Sequence, residues 1–319
     1  MHDLASEFEA ERDHLMAVGY RMLGSRAEAE DAVQETWLRF ATALADPGAR
    51  AEIRDLRAWL TTAMGRICLD VLRSARVRRE AYPGQWLPEP VVTLLPDGAS
   101  AFAPDPADRV AQTDEVGMAL LVVLERLSPE QRVAFVLHDV FAVPFAEIAT
   151  ALATTPAAAR QLASRGRRAV AEGGPRHSVD RAEQRRLLAA FLSAAESGDL
   201  DRLVRVLAPD VILVGDGGGY FPSARQPIRG ALQVARFTIG LLRRLSRGTT
   251  TPRARPVLVN GMLGLQTEGW YDPDRPLRSV LWITVDDGRI TGFYNQLNPE
   301  KLSLVPAIEP GEGDWPPRT

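Results

Sequence analysis

The stretch from Val143 to Val170 constrains the fold more than any other part of the chain, because it contains two helical patterns separated by a marked turn. Ala153 to Thr155 interrupt the first pattern, and Thr155 is a good N-cap that Pro156 follows at the first helical position. Apolar residues recur at helical spacing in the first pattern, at Phe145, Ile148, Ala149 and Leu152. Small and apolar residues share one face of the second, at Ala159, Leu162, Ala163, Gly166 and Val170. We therefore expect two helices that cross closely.

The other face of the second helix is polar and basic, and no acidic residue lies between Pro156 and Val170. This is the layout of a helix-turn-helix, whose second helix enters the major groove of DNA. Arginine suits that task because its fork can bond guanine or phosphate through two hydrogen bonds. The alternative is an ordinary helical hairpin with a solvated basic face. The residues that we expect to contact DNA are Arg160, Gln161, Ser164, Arg165 and Arg168.

Composition limits the class of protein. A chain of 319 residues with 45% hydrophobic and 25% charged residues describes two or three globular domains. The net charge of −3 argues against a DNA binder only if the charges mix evenly, and here basic and acidic segments alternate. Cys68 is the single cysteine, which fits a reducing, cytoplasmic location. The sequence shows neither an apolar run of membrane length nor a signal peptide, so we expect no membrane contact. Its histidines are scattered, and we expect no metal and no cofactor.

Residues 8 to 44 are predicted to form two helices that are broken at Gly24 and Ser25. Ser25 and Glu28 match a capping box at the start of the second helix. Apart from Trp37, which shares the apolar face, this helix presents an acidic side. A solvated acidic face is the simpler reading, and binding to a partner protein is the other. The residues concerned are Asp31, Gln34, Glu35 and Trp37.

A long third helix is predicted from Leu56 to Arg79, with an apolar stripe of Trp59, Ala63, Ile67, Val71 and Leu72. Its C-terminal part is basic, which complements the helix dipole in the simpler reading. In the other reading the basic part follows a phosphate backbone. The candidate contacts are Arg66, Asp70, Arg73 and Arg76.

Residues 81 to 107 contain six prolines and two glycines, so we expect a linker. The apolar piece from Trp86 to Val92 lies inside it, and a free linker rarely exposes such a piece. We expect it to dock on a domain surface, and packing of Trp86 on the first domain is the alternative. Helices are predicted from Asp108 to Leu127 and from a Ser128 cap to His138.

The last third of the chain changes character. One or two helices within residues 184 to 207, with Gly198 as the point of separation, precede a series of strands and one further helix, Gly230 to Leu245. We expect an α+β domain with an antiparallel sheet and, after Leu304, a loose tail. The predicted strands are Asp210 to Val214, Val257 to Asn260, Leu263 to Trp270, Ser279 to Val285 and Arg289 to Gln296, the last two joined by a hairpin turn.

With these residues laid out, the first 172 resemble the extracytoplasmic-function (ECF) RNA polymerase sigma factors of the sigma-70 family. The segment AEAEDAVQETWLRF of this chain resembles the family's helices that bind core polymerase. The segment LRAWLTTAMGRICLDVLRSARVRR resembles the family's helix that recognises the −10 element. The −35 helix-turn-helix domain is similar to the stretch from Leu127 to Val170. The resemblance implies sigma region 2 at residues 1–80, a linker at 81–107 and sigma region 4 at 108–173.

The remainder resembles a SnoaL-like domain of the NTF2-like fold, a cone of curved sheet and helices around a pocket. This implies a linker at 174–183, the domain at 184–304 and a flexible tail at 305–319. The SigJ-type subgroup of sigma factors shares three motifs with this chain: Trp86 to Pro90, Asp216 to Tyr220 and Asn298 to Leu302. Tyr220 replaces the usual lysine of the second motif, which leaves its charge pairing open. Arg66 stands where asparagine is common in the −10 helix.

The resemblance implies a role for each set of residues. The acidic set around Glu35 would bind the β′ clamp helices of core RNA polymerase, and the basic sets would bind −10 and −35 promoter DNA. The residues from 46 to 54 and the following helix would capture an unstacked −10 base. The C-terminal domain would regulate activity intramolecularly. The residues for that regulation are Trp86, Leu87, Pro88, Asp216, Gly217, Gly218, Gly219, Tyr220, Asn298, Pro299 and Lys301. No residue is expected to be catalytic.

Two other functions stay open at this point. NTF2-like pockets host cyclases and isomerases that use an acidic base with a Tyr or acid donor. The C-terminal domain would then be an enzyme, or a module for an unknown small ligand, fused to a DNA-binding regulator. Its candidate groups are Asp216, Glu268, Tyr271 and Tyr294. A repressor with the same helix-turn-helix is the third interpretation, but it does not explain the acidic and −10-like helices.

Overall fold

A computed structural model describes residues 4–43, 53–80, 82–95, 117–173, 181–245, 253–272 and 275–309. The chain forms two compact units, one of Met1–Ala81 with Leu120–Gly174 and one of Tyr82–Ala119 with Pro175–Thr319. The segment that follows Ala81 therefore belongs to the unit that contains the C-terminal domain. Within the described residues, no helix is both long and apolar enough to cross a membrane.

The first unit opens with three helices: α1 (Leu4–Leu23), α2 (Arg26–Ala43) and α3 (Leu56–Glu80). The break at Gly24 is as predicted, and the Ser25 hydroxyl accepts a hydrogen bond from the Glu28 N–H at 3.4 Å. The predicted apolar stripe of α3 is partly wrong. Trp59, Ala63 and Val71 are only half-buried. Because α3 packs against α1 and α2 and also against helices of the next segment, its fully buried face is rotated by about one residue, to Leu60, Met64, Ile67, Cys68, Leu72 and Ala75.

The rest of the first unit is helical too, with α4 (Met118–Leu124), α5 (Pro129–Phe135), α6 (Phe145–Ala151) and α7 (Pro156–Gly173). Residues 108 to 116 of the predicted first helix lie outside the described residues. Ser128 and Gln131 form the predicted capping box of α5. That helix does not reach His138 in α-helical form, because Val136–Val140 form a π-helical turn.

Helices α6 and α7 form the predicted helix-turn-helix, and the Thr155 hydroxyl accepts a hydrogen bond from the Ala158 N–H. The small face of α7 also serves a contact that the sequence did not suggest. A Cβ atom at Gly166 would lie 2.9 Å from the Cβ atom of Phe135 on α5. The absence of a side chain at Gly166 therefore brings α7 close to α5.

In the second unit, α8 (Arg181–Ser197) and α9 (Leu200–Val206) are separated at Gly198, as predicted, and α10 (Ala231–Leu245) follows within the sheet region. The strands are β1 (Val92–Leu94), β2 (Leu207–Asp216), β3 (Ile228–Arg229), β4 (Arg253–Val259), β5 (Met262–Asp272), β6 (Arg275–Asp286) and β7 (Arg289–Gln296). Helices followed by a sheet confirm the predicted α+β class. The arrangement fits the NTF2-like expectation.

The seven strands form one sheet in the order β1-β4-β5-β6-β7-β2-β3. The prediction of an antiparallel sheet is wrong at one place, since β2 runs parallel to β7. Neither β1 nor β3 was predicted, because strands of three and two residues leave no readable alternation. β1 comes from the linker and pairs with the edge strand β4 through Val92 and Val259.

Helices cover one face of the sheet. The rings of Phe191 and Phe293 lie 4.3 Å apart in the core between α8 and β7. Side chains alternate along a strand, so Gln266 and Gln296 lie on the opposite face. Residues 297 to 309 cover part of that face, where the Gln266 amide donates to the Pro306 carbonyl at 2.7 Å. Val305 and Ile308 are buried, so the prediction of a loose tail after Leu304 is wrong for residues 305–309.

Candidate nucleic-acid interface and linker site

The basic surface of the helix-turn-helix faces solvent. All five predicted −35 contacts are exposed on α7, and the buried residues Ala159, Ala163 and Gly166 hold the other side of the helix. The contrast follows from the sequence, because small residues pack against the neighbouring helices while long polar ones extend outward. The exposed side chains are Arg160, Gln161, Ser164, Arg165 and Arg168.

The arginines of this surface differ in their partners. Arg167 forms an ion pair with Asp139 at 2.6 Å, so it is held by the protein itself. The Arg160 guanidinium lies 5.1 Å from the centre of the Phe145 ring. Arg165 and Arg168 have no ion pair or hydrogen-bond partner in the part of the chain that the structure describes. These two guanidinium groups can therefore contact a phosphate or a base without breaking an existing bond.

The predicted −10 residues lie along α3. Arg66 and Asp70 are exposed, whereas the side chain of Arg76 lies outside the described residues. Arg73 forms an ion pair with Glu130 of α5 at 2.9 Å. Burial alone would raise the pKa of Glu130, but hydrogen bonds from its own backbone N–H and from Arg73 outweigh burial and lower that pKa overall.

Further contacts join α3 to the helix-turn-helix region. The Thr62 hydroxyl donates to the Glu147 carboxylate at 3.2 Å. A Cβ atom at Gly65 would lie 2.8 Å from Leu137, so the π-helical turn packs directly on α3. A cavity of about 850 Å³ lies beside these contacts, with Trp59 and Arg66 on one wall and Glu147 on another. Residues 46–52, which are most of the predicted base-capturing loop at 46–54, lie outside the described residues.

The predicted polymerase contacts lie on α2. Asp31 and Gln34 are exposed, and Glu35 is half-buried with an ion pair to Arg39 at 2.9 Å. Trp37 is also half-buried, and its ring lies 5.2 Å from that of Phe8. The three polar side chains can therefore reach a partner, while Trp37 also takes part in the core.

In the second unit, the Asp216 carboxylate is fully buried and binds the linker. One oxygen accepts a hydrogen bond from the Tyr82 hydroxyl at 2.7 Å, and the other accepts one from the Leu87 N–H at 2.9 Å. The Lys301 ammonium forms an ion pair with the second oxygen at 2.7 Å. Burial, together with the bond to Asp216, raises the pKa of Tyr82, so its hydroxyl stays protonated as a donor at neutral pH.

Lys301 completes this linker site. Its ammonium also donates to the Leu87 carbonyl at 2.7 Å and lies 4.0 Å from the centre of the Trp86 ring. The Gln296 amide donates to the Leu87 and Pro88 carbonyls at 3.4 and 3.3 Å. Because backbone groups of the linker are bonded as well as side chains, the segment is held in one register. The sequence did not point to Tyr82 or Gln296, since neither belongs to one of the three quoted motifs.

The glycine loop after Asp216 makes close contacts with the linker and with the third motif. Gly218 and Gly219 have positive φ angles of +59° and +80°, and a Cβ atom at Gly219 would lie 2.8 Å from Pro83. The linker residue that approaches this loop is therefore Pro83, while the Trp86 ring lies on Lys301. Close approach also involves the third motif, since a Cβ atom at Gly218 would lie 2.4 Å from Asn298.

The third motif forms a short 3₁₀ helix, Pro299–Leu302, with Asn298 as its N-cap. The Tyr220 hydroxyl donates to the Glu300 carboxylate at 2.5 Å, and the charge partner of Asp216 is Lys301. The charge that the usual lysine of the glycine loop would carry is therefore absent from position 220, and Lys301 supplies the cation beside Asp216. The Asn298 amide donates to the Tyr82 hydroxyl at 3.0 Å, so this motif too contacts the linker.

A second anchor of the linker was missed by sequence reasoning. The Val91 N–H donates to the Asn260 side chain at 3.0 Å, and the Asn260 N–H donates to the Val91 carbonyl at 2.8 Å. Asn260 has a φ of +48° in the turn between β4 and β5, a conformation that asparagine tolerates better than most residues. The linker is thus bonded at Asp216 and again at Asn260 before it continues as β1.

The candidate enzyme residues occupy different surroundings. Asp216 belongs to the linker site, and Glu268 forms an ion pair with Arg278 at 2.6 Å. The Tyr294 ring is buried and stacks on Trp282 with 5.6 Å between centres. The side chain of Tyr271 lies outside the described residues. Of the three whose side chains the structure describes, only Glu268 lines the large cavity of the second unit.

Comparisons with known proteins match two separate helical parts of the first unit. The Sigma-70 region 2 family matches residues 8–78 and the Sigma-70 region 4 family matches residues 117–170. The ECF RNA polymerase sigma factor SigJ of Mycobacterium tuberculosis is 46% identical over 311 residues, which cover 95% of each chain. This chain belongs to the ECF sigma factor family. A probable ECF sigma factor, SigI, from the same species is 36% identical over 96% of this chain and 97% of its own.

The crystal structure of the M. tuberculosis sigma factor SigJ has a TM-score of 0.70 to this chain, with 43% identity over 94% of this chain and 98% of that one. The likeness covers the C-terminal α+β domain as well as both sigma regions. The resemblance that the sequence indicated is therefore confirmed. In this ECF sigma factor, region 2 consists of α1 to α3, and region 4 consists of α4 to α7 with the helix-turn-helix at its end.

Proposed function

We propose that this ECF sigma factor directs transcription initiation by binding core RNA polymerase and the −10 and −35 elements of its promoters. The observation that carries the proposal is the exposed arginine surface of α7, where Arg165 and Arg168 have no protein partner among the described residues. The second helix of such a motif lies in the major groove, so these side chains would meet base edges and phosphates.

The other two surfaces have corresponding roles in this proposal. The exposed Asp31 and Gln34 of α2, together with Glu35, bind the β′ clamp helices of the polymerase. Arg66 and Asp70 of α3 contact the −10 element, and the cavity beside Trp59 receives an unstacked base. The sigma factor itself carries out no chemistry, since RNA synthesis belongs to the polymerase.

Arg165→Ala is expected to weaken −35 recognition by about 1–3 kcal/mol, because a bidentate contact to a base would be lost. Arg160→Ala should behave similarly, while Arg168→Ala should weaken binding to all sequences alike. Run-off transcription with core polymerase, titrated on promoters with single substitutions in the −35 element, measures both effects. Arg236→Ala, an exposed arginine on α10, is the control. Equal promoter use by Arg165→Ala and the unaltered protein would refute the assignment.

Glu35→Lys is expected to reduce holoenzyme formation with little change in melting temperature. The only internal contact that it removes among the described residues is the i,i+4 ion pair with Arg39, worth about 0.3–0.5 kcal/mol. Binding to core polymerase on a biosensor surface and thermal unfolding followed by circular dichroism give the two readouts. Glu9→Lys, on the exposed side of α1, is the matched charge reversal. A large loss of thermal stability would instead favour a structural role for Glu35.

We also propose that the C-terminal domain regulates the sigma factor by holding the linker. In the chain, the linker connects region 2 to region 4, so a linker bonded at Asp216 and Asn260 leaves fewer residues free to span between the two DNA-binding regions. The span between the −10 and −35 readers then depends on whether the linker is bound. Truncation after Val170 should therefore change promoter activity strongly.

An enzymatic role has less support. Curated relatives that match nearly the whole chain carry the names of sigma factors. Asp216, the best candidate for a general base, already accepts hydrogen bonds from Tyr82, Leu87 and Gly218 and an ion pair from Lys301. Those contacts occupy both carboxylate oxygens in holding the linker, so we propose that the domain is a regulatory module.

A further inference from the structure

The second unit contains a large cavity that the sigma factor function does not use. Its volume is about 820 Å³, which is in the range of cavities that hold drug-sized molecules. It lies at the end of the β5–β6 hairpin, between Trp270 and Arg275 on one side and the turn that contains Tyr220 on the other. Leu302 of the 3₁₀ helix contributes to its lining.

The cavity lies on the sheet face that the helices do not cover. Glu268 and Arg278 are directly paired across β5 and β6, and Gln266 and Val280 form the next pair on the same face. The opposite face is filled by the apolar core around Phe191 and Phe293. A molecule in the cavity would thus rest against the outer side of the sheet without disturbing that core.

Two aromatic side chains line the cavity and remain accessible. Trp270 is 48% exposed and Tyr220 is 47% exposed, although both are large amphipathic rings. Phe221 and Leu302 are buried and also line the cavity. A single exposed tryptophan needs no explanation. Two solvent-exposed aromatic rings beside buried apolar side chains, however, form a surface on which a flat apolar molecule can pack.

The described residues that line the cavity carry a net positive charge. They include three arginines, Arg253, Arg275 and Arg278, and one acid, Glu268. Glu268 forms an ion pair with Arg278 at 2.6 Å and lies 3.7 Å from Arg253. Arg275 uses one nitrogen to donate to the Tyr220 carbonyl at 3.1 Å and has no carboxylate partner among the described residues. Its remaining N–H donors, out of five in a guanidinium, point to an anionic ligand group.

We propose that this cavity binds a small molecule with a flat ring system and one acidic group, such as an aromatic carboxylate or sulfonate. The ring packs against Trp270 and Tyr220, and the anion accepts hydrogen bonds from Arg275. The cavity wall also includes Gly219, which lies close to Pro83 of the linker as well. The bound molecule therefore touches the same turn that holds the linker, although its binding does not depend on the sigma factor role.

The test uses 8-anilinonaphthalene-1-sulfonate, whose fluorescence rises on an apolar surface, with the full-length protein. N-phenyl-1-naphthylamine, which has the same ring system without the sulfonate, is the neutral comparison. We expect the sulfonate to bind at least tenfold more tightly than the amine. Arg275→Gln should raise the dissociation constant of the sulfonate about tenfold and leave that of the amine unchanged. Trp270→Ala should weaken both probes.

The matched controls are Arg236→Gln and Phe237→Ala, which alter an exposed arginine and an exposed ring on α10. Neither should change binding of either probe. The proposal is overturned if Arg275→Gln and Arg236→Gln bind the sulfonate equally, or if the neutral amine binds as tightly as the sulfonate. Because Arg275 and Trp270 are exposed, circular dichroism should show both variants folded, and loss of binding with an unchanged spectrum supports the site.

Discussion

Asp216→Ala is expected to detach the linker and to lower the free energy of unfolding of the second unit by about 3–5 kcal/mol. The buried carboxylate is the partner of the Lys301 ammonium, whose side chain is only 13% exposed, and the substitution leaves that charge without its counterion. It also leaves the Tyr82 hydroxyl and the Leu87 N–H without their acceptor. Unpaired buried donors cost free energy in addition to the lost bonds.

Urea unfolding of the full chain, followed by tryptophan fluorescence, measures the loss. Asp210→Ala on the same strand is the control, because Asp210 is exposed and should contribute little. Adding Lys301→Met to Asp216→Ala removes both charges and should recover part of the stability. If Asp216→Ala costs no more than Asp210→Ala, the linker site does not stabilise this unit.

The Asp216→Ala variant also tests whether the C-terminal domain regulates promoter activity. Detaching the linker by Asp216→Ala should reproduce part of the change in promoter activity that truncation after Val170 causes, because both free the chain between the two sigma regions. Run-off transcription at matched protein concentrations compares the two variants with the unaltered chain. Unchanged transcription in both would leave the C-terminal domain without a role in promoter selection.

Joining residues 62 and 147 covalently is expected to abolish promoter-dependent transcription, with a loss of more than tenfold. In the first unit α3 contacts α5 and α6, and the Thr62 hydroxyl is bonded to Glu147. The −10 and −35 elements are centred about 25 base pairs apart, or roughly 85 Å at 3.4 Å per base pair. In the proposed function, α3 and the helix-turn-helix bind these two elements at the same time. Because the two are in direct contact here, they would have to separate to span that distance.

The double variant Thr62→Cys with Glu147→Cys, treated with a bis-methanethiosulfonate, joins the two residues covalently. The native Cys68 is buried and should not react. Dithiothreitol cleaves the bridge and should restore transcription, while each single-cysteine variant treated with the reagent should remain active. Full activity of the bridged protein would show that the regions can initiate transcription without separating.

Contacts in the first unit explain why this separation requires free energy. The Arg132 side chain, 3% exposed, donates to the Met22 carbonyl at 3.0 Å and is held within region 4 by an ion pair with Glu125 at 2.7 Å. Arg73 and Glu130 form an additional, more exposed pair. The Arg132–Met22 and Arg73–Glu130 bonds join region 4 to the helices of region 2, and a partner that binds the separated regions would have to replace them.

Local patterns in the sequence determined much of this protein. The capping box at Ser128, the turn at Thr155 and the small face of α7 predict the helix-turn-helix, because each depends on residues within a few positions of one another. Strand-like runs predicted β2 and β4 to β7, and the glycine at position 198 marked the point where α8 and α9 separate. The resemblance of three segments to sigma-70 sequences, in the family's order, was sufficient to indicate the family.

Tertiary structure decided the features that depend on distant partners. Leu87 and Asp216 are 129 residues apart, and no local pattern states that a buried carboxylate will accept the N–H of a linker. The parallel pairing of β2 with β7, the addition of β1 to the sheet edge and the buried face of α3 likewise depend on which surfaces meet. A helix or strand is encoded by the periodicity of its own residues, but its neighbours are selected by the burial and hydrogen bonding of the whole chain.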